Sequence, residues 1–186
     1  DLSSIMPNAD EAARTILFAW NSMQEELGKE RFDDFLRSVD FIERRMPQST
    51  DYAIQLMEHI RRRYPGQQGY NWATVTLIHY LAAFKWIYES VGQEWAVGVH
   101  ASLRRLQLLK WDQWRAYAML IRMKSRASDL DKRIDVLDRV CFALTVSTPD
   151  ARRCAEMIGK RVERFAKGTF GKQGGFTFSA GQYERL

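Results

Sequence analysis

The sequence predicts an all-α protein: an irregular bundle of about eight helices around a central apolar helix, with a glycine-rich C-terminal tail. Two observations carry this. Apolar residues recur at three- and four-residue steps along nearly the whole chain, the period of helices with one buried face. Glycine, proline and small polar residues punctuate these runs where helices stop and start. No strand-rich region, internal repeat or low-complexity segment interrupts the pattern. The chain has 186 residues, 46% hydrophobic and 12% aromatic. A chain of this length buries roughly 70% of the surface its unfolded form exposes, and that composition excludes disorder of the whole.

In "ADEAARTILFAWNSMQEELG" the apolar set is Ala13, Ile16, Leu17, Trp20, Met23 and Leu27, and Gly28 supplies a left-handed stop. "KERFDDFLRSVDFIERRMP" places Phe32, Phe35, Leu36, Val39 and Ile42 on one face and ends before Pro47. Ser49 or Thr50 can cap "DYAIQLMEHIRRRYPG", with Ile54, Met57 and Ile60 inward and Pro65 and Gly66 at its end. Behind a cap at Asn71, "WATVTLIHYLAAFKWIYESVG" is apolar around most of its circumference and is expected to be the axis of the core. Three shorter helices follow: "EWAVGVHASLRRLQLL", "DQWRAYAMLIRMKS" behind Asp112, and "LDKRIDVLDRVCFALTV" behind Asp129. The last, "STPDARRCAEMIGKRVERFAKG", has Thr148 as cap, Pro149 in its first turn and Asp150 complementing the helix dipole. Residues 1–168 are thus a helical domain, and 169–186 a tail or the start of a truncated downstream domain.

Charge is distributed unevenly. Residues 1–60 hold 12 acidic and 6 basic side chains (net −6), and residues 61–186 hold 11 acidic and 22 basic (net +11), which together make the +5 of the chain. Such asymmetry fits one part facing a polyanion and another facing water or a further domain. Cys141 and Cys154 form no CxxC and no signal peptide precedes them, so free buried thiols and a cytoplasmic location are expected. The longest uncharged stretch, Tyr64 to Phe84, includes "YPGQQGYN" and leaves too short an apolar helix to span a bilayer.

No constellation of catalytic residues emerges. His59, His79 and His100 fall on three different helices with no HExxH or Cys/His ligand spacing, so no metal site is expected. No GxSxG, Walker A or GxGxxG occurs. Glu25 with Glu26 and Asp33 with Asp34 are adjacent in sequence and point about 100° apart on a helix, which suits solvation better than shared acid and base work. Trp20, Trp72 and Trp86 sit on apolar faces and read as core; Trp95, Trp111 and Trp114 lie near helix ends. An enzymatic alternative would require a pocket gathering groups such as His79, Tyr80, His100 and Tyr117.

Three basic groups stand out: Arg61, Arg62 and Arg63; Arg104 and Arg105, with Lys110 and Arg115 nearby; and Arg153, Lys160, Arg164 and Lys167 with Arg152 on the last helix. Lys and Arg in such positions can neutralise phosphates, which requires only charge and reach. The last helix also reads as an ordinary solvated face: Ala151, Cys154, Ile158, Val162 and Phe165 bury, and Glu156 and Glu163 stand four residues before Lys160 and Lys167.

Two stretches resemble a known family. "AWNSMQEELGKERFDDFLRSVDF", through Trp20, Leu27, Gly28, Phe32, Phe35, Leu36 and Arg37, is similar to a segment of the GmrSD-type modification-dependent restriction endonucleases and their uncharacterised relatives. "DVLDRVCFALTVSTPDARRCAEMIGKRVERFAKG", through Leu137, Asp138, Arg139, Ala143, Leu144 and Arg153, resembles a later helix pair of that family, with Asp138 where Glu is frequent. The resemblance covers most of residues 9–168 and implies the helical middle of such a protein. In the family this region lies between a ParB/sulfiredoxin-like nucleotide-hydrolysing domain, marked by Asp-Gly-Gln-Gln-Arg, and an HNH-type nuclease domain with an Asp-His-Ile signature. Neither motif occurs here; "PGQQGY" lacks the flanking Asp and Arg.

The expectation is therefore a non-catalytic helical domain, with no cofactor of its own, excised from a DNA-targeting restriction or defence-type protein. It would connect nucleotide-hydrolysing and nuclease domains of a longer, NTP-dependent endonuclease. The expected partners are sibling domains and DNA, whose backbone it would contact through Arg61, Arg62, Arg63, Arg104, Arg105, Arg153, Lys160, Arg164 and Lys167. The alternative is a stand-alone helical interaction module docking an acidic protein partner.

Overall fold

The computed structural model describes residues 9–44, 51–91, 99–147, 150, 152–154 and 156–159. Its elements are eight α-helices and one π-helical turn, with no strand among the described residues, so the fold is all-α. No described helix is long and apolar enough to cross a membrane. The chain forms two compact units, Asp1–Arg44 with Gln48–Ala82 and Arg45–Pro47 with Ala83–Leu186. The expected boundary at residue 168 lies outside the described residues.

The first unit contains α1 (Ala9–Leu27), α2 (Lys29–Arg44), α3 (Tyr52–Arg63), α4 (Gln67–Asn71), the π turn (Trp72–Thr76) and the first residues of α5 (Leu77–Val91). Gly28 alone joins α1 to α2. At φ +73° its N–H donates to Gln24 at 2.9 Å, closing α1, and its carbonyl accepts from Phe32 at 2.9 Å, opening α2. The ring of Trp20 meets Phe32 edge-on, centroids 5.2 Å apart, across that corner. α2 buries Phe32, Leu36, Val39 and Glu43 at four-, three- and four-residue steps, so a carboxylate occupies a core position.

Glu43 organises this unit. Its Oε1 accepts hydrogen bonds from Trp72 Nε1 and Tyr80 OH, each at 3.0 Å, and its Oε2 accepts from Tyr64 OH at 3.4 Å. Trp72 and Tyr80 are eight positions apart, whereas two α-helical turns take about 7.2 residues. The π turn resolves the mismatch. Leu77 N–H donates to Trp72 O, five residues back, inserting one residue and bringing both side chains to one face. Asn71 is consequently an interior helical residue and not the expected cap. Gly69 is required nearby, since a Cβ there would stand 2.6 Å from the Tyr64 carbonyl oxygen.

α3 corrects the expected inward face. Tyr52, Leu56 and Ile60 are buried, while Ile54 and Met57 are 65% and 40% exposed. Two stripes at helical spacing compete in this helix. The one carrying Tyr52 prevails because its hydroxyl also donates to Asp33 of α2. Leu17 on α1 is likewise exposed and not inward.

The second unit contains the rest of α5 with α6 (Val99–Leu106), α7 (Trp114–Lys124) and α8 (Ala127–Ser147). Residues 152–154 and 156–159 are helical too. α6 and α7 both pack on α8. Leu103, Leu106, Trp114, Tyr117, Ile134, Leu137, Cys141 and Leu144 are buried, and Trp111, also buried, donates its Nε1–H to Thr145 Oγ1 at 3.0 Å. Two expected caps shift. α8 begins at Ala127, which puts Asp129 in its first turn, and α7 begins at Trp114, after Gln113 and not Asp112. The final helix is capped by Asp150, whose carbonyl accepts from Cys154 N–H at 3.1 Å and whose Oδ1 accepts from Arg152 N–H at 2.9 Å. Thr148 and Pro149, like Ser49, Thr50 and Trp95, lie outside the described residues.

Gly28→Ala is expected to destabilise the protein by about 1 kcal/mol through the left-handed backbone alone, because nothing lies within 4 Å of the added methyl. Chemical denaturation measures this, and Gly28→Asn should cost less. Cys141 and Cys154 are both free and buried, and desolvation, reinforced by Asp150, pushes the Cys154 thiol up. Neither should react with a maleimide at neutral pH until denaturant unfolds the second unit, as mass spectrometry would show.

Candidate functional site

The expected phosphate-contacting residues fall in both units, and each group has its own surroundings. In the first unit Arg61, Arg62 and Arg63 are exposed on the last turn of α3, where cations complement the carbonyl end of the helix. Arg62 Nε donates to the Glu58 carbonyl at 3.3 Å, and the Arg63 guanidinium lies 5.5 Å from the centroid of the Tyr64 ring. None of the three forms an ion pair among the described residues.

In the second unit Arg104 and Arg105 lie exposed on α6. Arg105 is bound locally: its Nε donates to Asp138 Oδ2 of α8 at 2.7 Å, and another guanidinium nitrogen reaches Ser102 Oγ at 3.1 Å. Arg105 therefore clamps α6 onto α8. Arg153 is exposed on the final helix, while Arg152 beside it is 3.5 Å from Glu156. Lys160, Arg164 and Lys167 lie outside the described residues.

The second unit also exposes Arg122, Lys124, Arg126, Lys132 and Arg139, which the sequence pattern did not assign to phosphate contact. With Lys110, Arg104, Arg105, Arg152 and Arg153 they make ten exposed cations, against four exposed carboxylates, Glu89, Asp131, Asp150 and Glu156, among its described residues. Arg122, Lys124 and Arg126 cluster where α7 turns into α8. In sequence their spacing looks like an ordinary solvated helix end, and only the buried state of neighbouring apolar residues fixes which way they point. Arg122 and Arg115 also stack on aromatic rings, Arg122 at 5.4 Å from Trp86 and Arg115 at 5.6 Å from Trp114.

The groups considered for an enzymatic site are engaged separately. His79 is exposed, and Tyr80, its neighbour on the helix, spends its hydroxyl on Glu43. The His100 Nδ1 lies 3.1 Å from the Ser90 carbonyl oxygen, and Tyr117 is buried within α7. No three His, Cys, Asp or Glu side chains converge on a metal-sized space among the described residues. An open depression at the α1–α2 corner is lined by Gln24, Lys29, Glu30, Asp33, Asp34 and Arg37. Its charges are mixed, and Asp33, expected to be solvated, is held by Arg37 at 2.8 Å and by Tyr52.

The cluster that sequence reasoning missed is polar and internal. Beyond the Glu43 hub, Asp40 is fully buried and bonded twice by Arg44, which also donates to Gln55 Oε1 at 2.5 Å. His59 stands near Glu43 with its Nε2 buried and without a hydrogen-bond partner among the described residues. The signal was available: Glu43 continues the step pattern of Phe32, Leu36 and Val39. Desolvation holds His59 below its usual range; Arg63, Arg44 and Arg62 add to this, and Glu43 opposes it. A histidine with a lowered folded pKa leaves stability unaffected while both states are neutral, and costs stability once the unfolded chain protonates more readily. Stability should thus fall as pH drops below about 6.5, and His59→Gln should flatten that part of a pH series of denaturation midpoints.

Asp138→Asn should loosen α6 from α8 and lower stability by about 1–2 kcal/mol, read from the denaturation midpoint with overall helix content unchanged. No family model matches the chain, and no curated protein or solved structure is detectably similar to it.

Proposed function

We infer that this chain is a non-catalytic helical domain that binds the backbone of DNA, acting within a larger restriction or defence-type protein. The supporting observation is the surplus of exposed cations on the second unit, ten against four carboxylates among the described residues. Exposed Lys and Arg spread over several helices suit contact with a regularly charged polymer better than recognition of a small molecule. Arg104 and Arg153 are the principal contacts; Arg61, Arg62 and Arg63 add to them, and Arg105 serves mainly to hold α6 in place. Base readout is weak in this reading, and nucleotide hydrolysis and strand cleavage belong to sibling domains, as the family resemblance suggests.

Arg104→Glu with Arg153→Glu tests it. Both sites are exposed, so the fold should persist. Fluorescence anisotropy with a duplex probe should show affinity falling about tenfold or more, with the slope of log K against log salt reduced by about 2. Unchanged affinity and slope would remove the reading.

A protein partner is the second reading, and one observation favours it. On α8 the exposed Phe142 and Val146 follow exposed Arg139 at three- and four-residue steps, a stripe suited to an acidic, partly apolar helix. In that case Phe142→Ser would weaken capture of the partner, and added polyanion would leave capture intact.

A further inference from the structure

In the second unit one tryptophan departs from the core role that its place in the sequence implies. Trp111 and Trp114 are 5% and 1% exposed, whereas Trp86 on α5 is only half-buried. The Arg122 guanidinium of α7 lies over its ring, 5.4 Å from the centroid. Arg122 is itself exposed and forms no ion pair among the described residues. The other stacked arginine of the unit is placed differently. Arg115 lies over Trp114 and Tyr88, at 5.6 and 5.9 Å, but only 18% of its side chain is in water and it is bridged to Asp112 at 3.4 Å. Arg105, Arg139 and Arg152 are likewise tied to carboxylates.

A guanidinium is planar and weakly hydrated, so a flat ring can lie against it. Contact with the indole restrains Arg122, and its exposure leaves the side away from the ring open to water. A second flat π system placed there is attracted by the same charge, and an arginine already ordered costs less entropy to bind. Phosphate needs only charge and reach, and gains nothing from a ring behind the cation. The pair therefore suits a ligand with a flat face beside an anion. In a duplex both faces of a base are covered by its neighbours in the stack, whereas in a single strand they can open onto a protein side chain. Arg126, four residues after Arg122, is exposed and supplies a cation for the adjoining phosphate. Glu89, exposed three residues after Trp86, disfavours a phosphate on α5 and directs the strand toward the α7–α8 turn.

We propose that the Arg122–Trp86 pair is a stacking site for an unpaired base of single-stranded DNA. The base lies on the side of Arg122 turned from the indole, and Arg126 takes a neighbouring phosphate. The site rests on the reading that the second unit binds DNA and adds to it the form of DNA that is preferred. A strand with open bases is held by stacking and by charge, a closed duplex by charge alone. Preference among the four bases is weak, since each has a face to stack.

Fluorescence anisotropy of the whole chain with three labelled probes of equal length tests it: a strand of about 12 thymidines, the same strand with abasic sites throughout, and a duplex. The parent is expected to bind the thymidine strand about fivefold or more tighter than the abasic one. Arg122→Lys keeps the charge and loses the planar face, and should bring that ratio close to one. Trp86→Phe, which keeps a ring beneath the guanidinium, should retain part of it. Arg122 is exposed, so the circular dichroism spectrum and thermal midpoint of Arg122→Lys should match the parent. A parent that binds the duplex without distinguishing thymidine from abasic strands overturns the stacking site and leaves the DNA reading in place, as does a preference that Arg122→Lys leaves intact. A parent that binds none of the three probes overturns both.

Discussion

A carboxylate removed from water has to be met by donors, and in the first unit that requirement falls on Glu43. Uncompensated burial of such a charge costs several kcal/mol. Three aromatic donors from the segment after α3 and from the π turn into α5 supply the compensation, at 3.0, 3.0 and 3.4 Å. Tyr64, Trp72 and Tyr80 are suited to this because each combines a large apolar body with one polar hydrogen. The body fills the core while the hydrogen satisfies the anion, so no cation has to be hydrogen-bonded to it. The remainder of the unit follows from this arrangement. α2 must present its Glu43 face inward, and the chain after α3 must turn at Pro65 and Gly66. The helix that follows must insert one residue at Trp72–Thr76 to bring two donors eight positions apart onto one face.

The inserted residue also bears on the surface. Adding one residue to a turn rotates every later position relative to the earlier ones, so the same π turn that brings Tyr80 inward sets which residues of α5 face out. Val75, Ile78 and Ala82 are outward at that register. A helix that is apolar around most of its circumference cannot bury every side unless neighbours surround it, and this one keeps an uncovered stripe. The internal polar requirement and the outward placing of Ile78 and Ala82 are thus linked through a single backbone irregularity.

The second unit is organised differently. Its core is apolar and aromatic, and its polar bond between elements at the α6–α8 contact is the Arg105–Asp138 pair at the edge, where the guanidinium remains partly in water. That pair gives Arg105 a structural role, since it holds two helices together. Such a role matters for any basic surface, because a cation already committed to a neighbouring carboxylate contributes less to an incoming polyanion than its place in a cluster implies.

By itself the sequence determined the all-α class, the run of helices, the left-handed stop at Gly28, the buried free thiols and the basic bias of the later residues. These depend on local periodicity, backbone freedom and composition, which neighbouring residues report directly. It did not determine which of two stripes on α3 turns inward, that Asp150 caps the final helix, or that Arg105 is tied to Asp138. Nor did it reveal the Glu43 hub, although Glu43 sits in register with Phe32, Leu36 and Val39. Those outcomes were decided by partners distant in the chain. Ile54 and Met57 are as apolar as Leu56 and Ile60, and only the bond from Tyr52 to Asp33 and the packing on α2 separate them. A buried carboxylate becomes tolerable only when donors from 21, 29 and 37 residues further along reach it, and periodicity within one helix carries no information about a donor on another.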